Sequence, residues 1–290
     1  MAFATAARLA MVPNLMAAQF VPSAIGIDSS IYNMARVVGP MIAAATISLV
    51  GTGATFLFNG LCYALFVYCM FRVHLVRTES LGRGGNVIAQ TFDGIRYVAR
   101  HPGIGPALVL LASTALGIKP FLELLPGLAD GVFEAGVEGF ASFAAIAGAG
   151  AIVAGLWVAA RGMAQGTTKI AFGAMILGVV GIFAVSATDI IWVGLMGTFM
   201  VGGAITLAGT STQILMQNSV HGAVRGRVMS LYGMVHRGGP ALGAVIIGAA
   251  AELIGLQAAM IGGGALTAVV FAVMLRRYGT MVLALESRRD

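Results

Sequence analysis

The sequence reads Ser30-Ile31-Tyr32-Asn33-Met34-Ala35-Arg36-Val37-Val38-Gly39-Pro40 near its start and Ser230-Leu231-Tyr232-Gly233-Met234-Val235-His236-Arg237-Gly238-Gly239-Pro240 at positions 200 higher. The serine, tyrosine, methionine, glycine and proline recur in the same places, and an apolar run follows each copy. This spacing is too long for a solenoid, whose units have about 20 to 50 residues. The match therefore predicts an internal repeat, with two duplicated halves of one large architecture.

Composition indicates the environment of this architecture. Hydrophobic residues make up 59% of the chain and charged residues 10%, and the mean hydropathy is +0.94. A soluble domain of this length could not bury so much apolar surface, so the composition predicts a protein of the lipid bilayer. The net charge of +6 comes from basic residues spread over many loops, which argues against a nucleic-acid partner.

Eight apolar runs are long enough to cross about 30 Å of hydrocarbon. Because no water satisfies backbone groups there, such runs form helices, and solid apolar blocks lack the alternation of barrel strands. The fold class is therefore predicted to be all-α, a polytopic membrane protein with eight transmembrane helices. The predicted spans are 22–50, 53–72, 103–128, 133–161, 168–187, 189–215, 225–251 and 256–277.

Lysine and arginine are distributed unevenly between alternate connections. The connections near 51–53, 129–133, 188 and 252–256 contain neither residue. Since cytoplasmic loops carry the excess of Lys and Arg, this asymmetry predicts that both termini are cytoplasmic. The other connections and the terminal segments contain Arg8, Arg72, Arg77, Arg83, Arg96, Arg100, Arg161, Lys169, Arg225, Arg227, Arg276, Arg277, Arg288 and Arg289.

One long polar segment, 73–102, separates the first two spans from the last six. Apolar residues recur in it at helical spacing, at Ile88, Phe92, Ile95 and Ala99. This pattern is typical of an amphipathic helix on the inner membrane surface, and Pro102 predicts its end. The predicted domains are 1–72, the C-terminal part of a first half; 73–102, a cytoplasmic linker; 103–277, a second six-helix half; and 278–290, a cytoplasmic tail.

Several further segments have recognisable patterns. They are Ala7-Arg8 with Pro13, Asn33 to Pro40, Asp93-Gly94-Ile95-Arg96-Tyr97-Val98, Arg100-His101-Pro102, Glu123-Leu124-Leu125-Pro126 and Arg225-Gly226-Arg227-Val228-Met229-Ser230. Together they resemble the major facilitator superfamily, and within it the drug and siderophore exporters of the transmembrane secretion effector type. The similarity covers essentially the whole chain.

The resemblance implies a twelve-helix transporter in which two six-helix halves surround a central cavity and the present spans correspond to helices five to twelve. It implies secondary active export of small amphipathic, drug- or siderophore-like molecules across a bacterial cytoplasmic (inner) membrane. Alternating access, antiport with protons as the coupling ion and the absence of a cofactor are part of this expectation.

The repeat also bears on the completeness of the two halves. If the second half copies the first, about four further spans belong ahead of Met1. We therefore expect the 290 residues alone not to complete a transport cycle. The alternative hypothesis is a truncated, non-transporting membrane fragment or assembly partner, with self-association covering its exposed face.

The Gly-Pro pairs of the repeat lie within spans. Proline removes one helical hydrogen bond and kinks the helix, as expected at Pro40 and Pro240. A neighbouring glycine lets another helix approach closely, at Gly39 and at the small-xxx-small face of Gly239 and Gly243. The pairs predict a conformational or gating role, with ordinary helix packing as the alternative.

Charged and polar residues within the spans indicate a substrate or proton pathway. Because a lipid-facing charge is costly, Arg36 and Arg237 should face the interior or extend to the cytoplasmic surface. Lys119 and Glu123 lie four positions apart, so on a helix they share one face and can form an ion pair. This pair would be either structural or part of the pathway. The candidates for this pathway are Asn33, Arg36, Lys119, Glu123, His236 and Arg237, and those in the cytoplasmic loop are Arg225 and Arg227.

Catalytic and metal-binding motifs are missing from the sequence. There is no H-E-x-x-H, G-x-S-x-G or G-x-x-x-x-G-K-[ST] pattern. The sequence therefore predicts neither an enzyme nor a metal site, and an intramembrane enzyme is the weakest of the three hypotheses.

Single-cysteine labelling tests the predicted orientation, in a background with Cys62 and Cys69 replaced by serine. A membrane-impermeant maleimide should react from outside with Asp130→Cys and Glu252→Cys, because their loops lack basic residues. Arg83→Cys and Arg225→Cys should react only after permeabilisation. The opposite pattern would reverse the topology.

Overall fold

A computed structural model describes residues 20–72, 87–162, 165–220 and 222–286. These residues form ten α-helices and no strand, which confirms the predicted all-α class. The helices are α1 Val21–Arg72, α2 Val87–Arg100, α3 Ile104–Gly117, α4 Phe121–Gly131, α5 Gly136–Arg161, α6 Thr167–Ser186, α7 Ile191–Ser219, α8 Gly222–Ile254, α9 Leu256–Leu275 and α10 Tyr278–Glu286.

Six helical stretches among the described residues are long and apolar enough to cross a membrane. They are Ile104–Gly131, Glu138–Arg161, Thr167–Ser186, Ile191–Ser219, Val224–Ile254 and Leu256–Leu275, and each coincides with one of the last six predicted spans. The first two predicted spans fall on α1, where Gly53–Cys69 is a shorter apolar helix. Eight spans and a twelve-helix fold therefore stay predictions.

Two glycines interrupt the helices in the same way. Gly51 divides α1 with φ 80° and ψ 169°, and Gly255 separates α8 from α9 with φ 84° and ψ 154°. This backbone region belongs almost exclusively to glycine, because a Cβ would collide with the backbone. Each glycine follows one copy of the repeated stretch. Both copies therefore have the same arrangement, in which one helix ends at the glycine and a second helix follows it.

The predicted span 103–128 contains a break that sequence analysis did not anticipate. Pro120, between α3 and α4, has no N–H to continue the helix. Just before it, the Lys119 N–H bonds the Thr114 carbonyl at 2.9 Å, one residue further back than in an α-helix. Lys119 and Glu123 therefore do not belong to one regular helix, and their pairing stays a prediction.

Helix α7 lies at the centre of the described bundle. It contacts α5, α6 and α1, and it is buried over almost its entire C-terminal half. The outer surface is apolar, with Leu253 87% exposed and Trp192 74% exposed. Such exposure fits a protein surrounded by lipid, where apolar side chains need no burial.

The predicted tail contains a packed helix. Met281 and Leu285 of α10 are buried, and α10 contacts α3, α6 and α7. The Glu286 carboxylate accepts the backbone N–H groups of Gly166 at 2.6 Å and Thr168 at 2.7 Å. A carboxylate at this position satisfies donors left open by the first turn of α6 and complements its dipole.

The conformation of Gly255 leads to a stability prediction. Gly255→Ala should destabilise the protein by about 1–3 kcal/mol, because alanine is strained at positive φ with extended ψ. Gly262→Ala is the matched control: Gly262 lies within α9, and nothing stands within 4 Å of the position its Cβ would take. Unfolding by SDS in mixed micelles measures both. Equal stability of the two variants would contradict the strain argument.

Candidate functional site

Lys119 connects the break between α3 and α4 to helix α8. Its Nζ donates to the His236 carbonyl at 2.7 Å and lies 3.4 Å from His236 Nε2. In a regular helix this carbonyl would accept the N–H of residue 240, but Pro240 has none. The lysine ammonium therefore satisfies a carbonyl that proline has deprived of its helical donor.

The His236 ring has one satisfied side and one unsatisfied side. It stacks on Tyr232 with ring centroids 5.3 Å apart and an interplanar angle of 11°. Because an ammonium group only donates, we assign the Nε2 facing it as the accepting nitrogen and place the ring hydrogen on Nδ1. Nδ1 is buried and has no hydrogen-bond partner within the described part of the chain. A buried unpaired donor is costly and often marks a functional position.

Helix α7 completes this arrangement. A Cβ at Gly209 would lie 2.6 Å from His236 Cε1, so only glycine leaves room for the ring. The Tyr232 hydroxyl donates to the Gly209 carbonyl at 3.0 Å and lies 3.4 Å from Gln213 Oε1. Lys119, His236, Tyr232 and Gln213 thus form a continuous series of contacts, in which His236 and Tyr232 are joined by ring stacking and the other neighbours by polar groups. This series is called here the central polar chain.

Sequence analysis selected Lys119 and His236 but missed Tyr232 and Gln213. The available signal was the polar run Thr210-Ser211-Thr212-Gln213 inside an apolar span, since polar residues at membrane depth often mark functional sites. All four of these residues are buried.

Two glycines of the repeat bring α8 close to the break. A Cβ at Gly239 would lie 2.8 Å from the Ala115 Cβ. A Cβ at Gly243 would lie 2.5 Å from Pro120 Cγ and 2.6 Å from the Leu116 carbonyl oxygen. At Gly239 and Gly243, one helical turn apart on α8, the two elements therefore come almost into backbone contact. A gating role for these glycines stays a prediction.

The remaining candidates outside α1 are Glu123, Arg237, Arg225 and Arg227. Arg237 and Glu123 are exposed. At the start of α8, Arg225 Nη2 donates to the Val220 carbonyl at 3.4 Å, and Arg227 packs through its Cβ 3.1 Å from the position of a Gly94 Cβ. Arg225 and Arg227 therefore lie where α8 meets the end of α7 and helix α2.

The candidates of the first repeat copy are on α1. The side chains of Asn33, Arg36 and Pro40 lie outside the described set, so their predicted roles stay predictions. Gly39 is described, and no described atom stands within 4 Å of the position its Cβ would take.

Comparison with known proteins identifies the family. A family profile described as "Transmembrane secretion effector" matches residues 1–287. The chain belongs to this family. The match confirms the resemblance to major facilitator transporters. It also confirms the prediction that the protein belongs to a transporter class and not to an enzyme class.

One relative is the Staphyloferrin A transporter of Staphylococcus aureus (strain NCTC 8325 / PS 47), which is 27% identical over 260 residues. The match covers 87% of this chain and 63% of the relative. This secretion effector chain therefore spans less than two thirds of that relative's length.

A double-mutant cycle tests the role of Lys119. Lys119→Met should destabilise the protein by about 1–3 kcal/mol, because the His236 carbonyl loses its donor. Pro240→Ala supplies a helical N–H to the same carbonyl, so Lys119→Met should cost about 1 kcal/mol less in that background. SDS unfolding measures the cycle, and Lys169→Met, at an exposed position, is the control. Strict additivity would exclude the shared carbonyl.

Proposed function

We propose that this secretion effector protein works as a secondary active exporter, moving small amphipathic molecules across the bacterial cytoplasmic membrane by alternating access in exchange for protons. The observation that carries the proposal is the Lys119–His236 contact, which joins two spans that proline interrupts. Both residues lie near the middle of their spans, Ile104–Gly131 and Val224–Ile254.

Interrupted helices at mid-membrane suit a transport site. Secondary transporters bind substrates and coupling ions near the bilayer midplane, where broken helices expose backbone groups. In this chain Pro120 breaks the helix between α3 and α4, and Pro240 leaves a carbonyl of the continuous helix α8 without its helical donor. Lys119 bridges the two elements with one hydrogen bond. A contact made by a single flexible side chain can open and close without repacking the apolar core.

Proton coupling is proposed to act at His236. Its Nε2 accepts from Lys119, so a proton on that nitrogen removes the acceptor and places two cations side by side, which repel. The other groups near the ring are Tyr232 and the charged Arg237 on α8, and the neutral Gln213 of α7 contacts the Tyr232 hydroxyl. Proton binding would therefore separate Lys119 from the His236 ring and favour a second arrangement of α8 against the break.

The substrate class and direction rest on the family. The family's description names secretion, and the relative's name states that it transports Staphyloferrin A. We extend siderophore-like and drug-like substrates to this protein on that basis. The buried polar groups of α7 and the unpaired Nδ1 of His236 offer hydrogen-bonding sites for a polar portion of such a molecule.

An export assay tests this proposal. Cells expressing the native gene should retain less ethidium or Staphyloferrin A than cells with an empty vector, and nigericin, which collapses the pH gradient, should abolish the difference. His236→Asn should remove export driven by the pH gradient, because the amide does not take up a proton at these pH values, whereas Lys169→Met should export normally.

Each other outcome of this assay has a definite meaning. Export that persists in nigericin would contradict proton coupling. Equal retention of both probes in expressing and control cells would favour the non-transporting assembly partner.

A further inference from the structure

Helix α2 has two faces that contact different surroundings. Gly94 and Val98, one turn apart, are buried, and a Cβ at Gly94 would lie 3.1 Å from the Arg227 Cβ on α8. Ile95 and Ala99 are two of the four apolar residues that the sequence placed on one face, yet they are exposed, Ile95 by 45%. The helix therefore packs on the protein through a glycine-valine face and leaves a second apolar strip uncovered.

Two arginines lie beside this uncovered strip. Arg96 and Arg100 are one helical turn apart and both exposed. The first apolar span of the bundle begins at Ile104, only a few residues later. The arginines are thus placed at the membrane–water boundary, where an interfacial helix keeps cations at headgroup level and apolar side chains among acyl chains.

A cavity opens at the same place. It has a volume of about 390 Å³ and is lined by Arg96, Tyr97, Arg100, His101 and Pro102. None of these lining residues is acidic, and the two guanidinium groups have a geometry that matches phosphate oxygens. The charge and shape of the lining therefore favour a phosphate-bearing anion.

His101 lines this cavity and is fixed by hydrogen bonds to the backbone. Its Nδ1 accepts the backbone N–H groups of Gly103 at 3.1 Å and Ile104 at 3.2 Å, so it caps the start of α3. A nitrogen that accepts these bonds carries no hydrogen, which places the hydrogen of the neutral ring on Nε2. The Tyr97 ring lies 5.8 Å from the His101 ring, centroid to centroid. The cavity wall is thus built from side chains fixed to the junction of α2 and α3.

We propose that this cavity binds the headgroup of an anionic phospholipid, with Arg96 and Arg100 on the phosphate and an acyl chain along Ile95 and Ala99. The uncovered apolar strip favours a lipid over a free phosphate, which has nothing to place there. Because the neighbouring face of α2 rests on α8 at Gly94 and Arg227, a bound lipid also stabilises the position of the helix that carries His236.

Native mass spectrometry of the purified full chain tests the proposal. The wild type should retain phosphatidylglycerol at least about tenfold better than phosphatidylcholine, since each interfacial arginine contributes a several-fold preference for anionic lipid. Arg96→Gln with Arg100→Gln should lose most of that preference. Arg276→Gln with Arg277→Gln, which removes two exposed charges from the turn between α9 and α10, should keep it.

Two further measurements make the outcome decisive. Arg96→Lys with Arg100→Lys keeps both charges and should retain part of the preference, even if the glutamine variant folds poorly. Equal losses in the two glutamine variants would show diffuse attraction and overturn the proposal. Displacement of phosphatidylglycerol by millimolar inorganic phosphate would also overturn it, by assigning the cavity to a free anion.

Discussion

A backbone carbonyl within a bilayer has to find its hydrogen-bond donor inside the protein, and this constraint governs the arrangement around His236. Pro240 withholds the helical donor, and Lys119 provides one from another span. Pro120 in turn breaks the helix beside Lys119. The two prolines are therefore complementary, since one creates an unsatisfied acceptor and the other places a flexible cation beside it.

This contact requires that the helices approach closely, and small residues make the approach possible. Gly239 and Gly243 hold α8 against the break, where any larger side chain would meet Ala115 or Pro120. On the other side, α9 donates a hydrogen bond from Thr267 Oγ1 to a carbonyl of α3 at 3.0 Å. In lipid the hydrophobic effect does not drive helices together, because the acyl chains are as apolar as the side chains. Close packing and interhelical hydrogen bonds are therefore the main interactions that hold a bundle together.

The sequence predicted those parts of the structure that depend on local composition, and it missed those that depend on distant contacts. Hydropathy located the six spans of the described bundle because each is one long apolar run. The i, i+4 rule considers only near neighbours such as Glu123, so it could not find the contact of Lys119 with His236, 117 positions away. The helix around Glu286 was likewise missed, since nine residues are too few for a span and the donors it satisfies come from another helix.

The two repeat copies share a backbone arrangement but differ in the side chain at its key position. Pro40 removes the helical donor of the Arg36 carbonyl just as Pro240 does for His236, and a glycine with positive φ follows each copy. Arginine has no lone pair with which to accept a proton, whereas imidazole accepts and releases one. A duplicated unit with a permanent cation in one copy and a titratable ring in the other cannot perform the same chemistry twice. The proton exchange that we propose would therefore take place in the second copy, where Lys119 contacts the His236 ring.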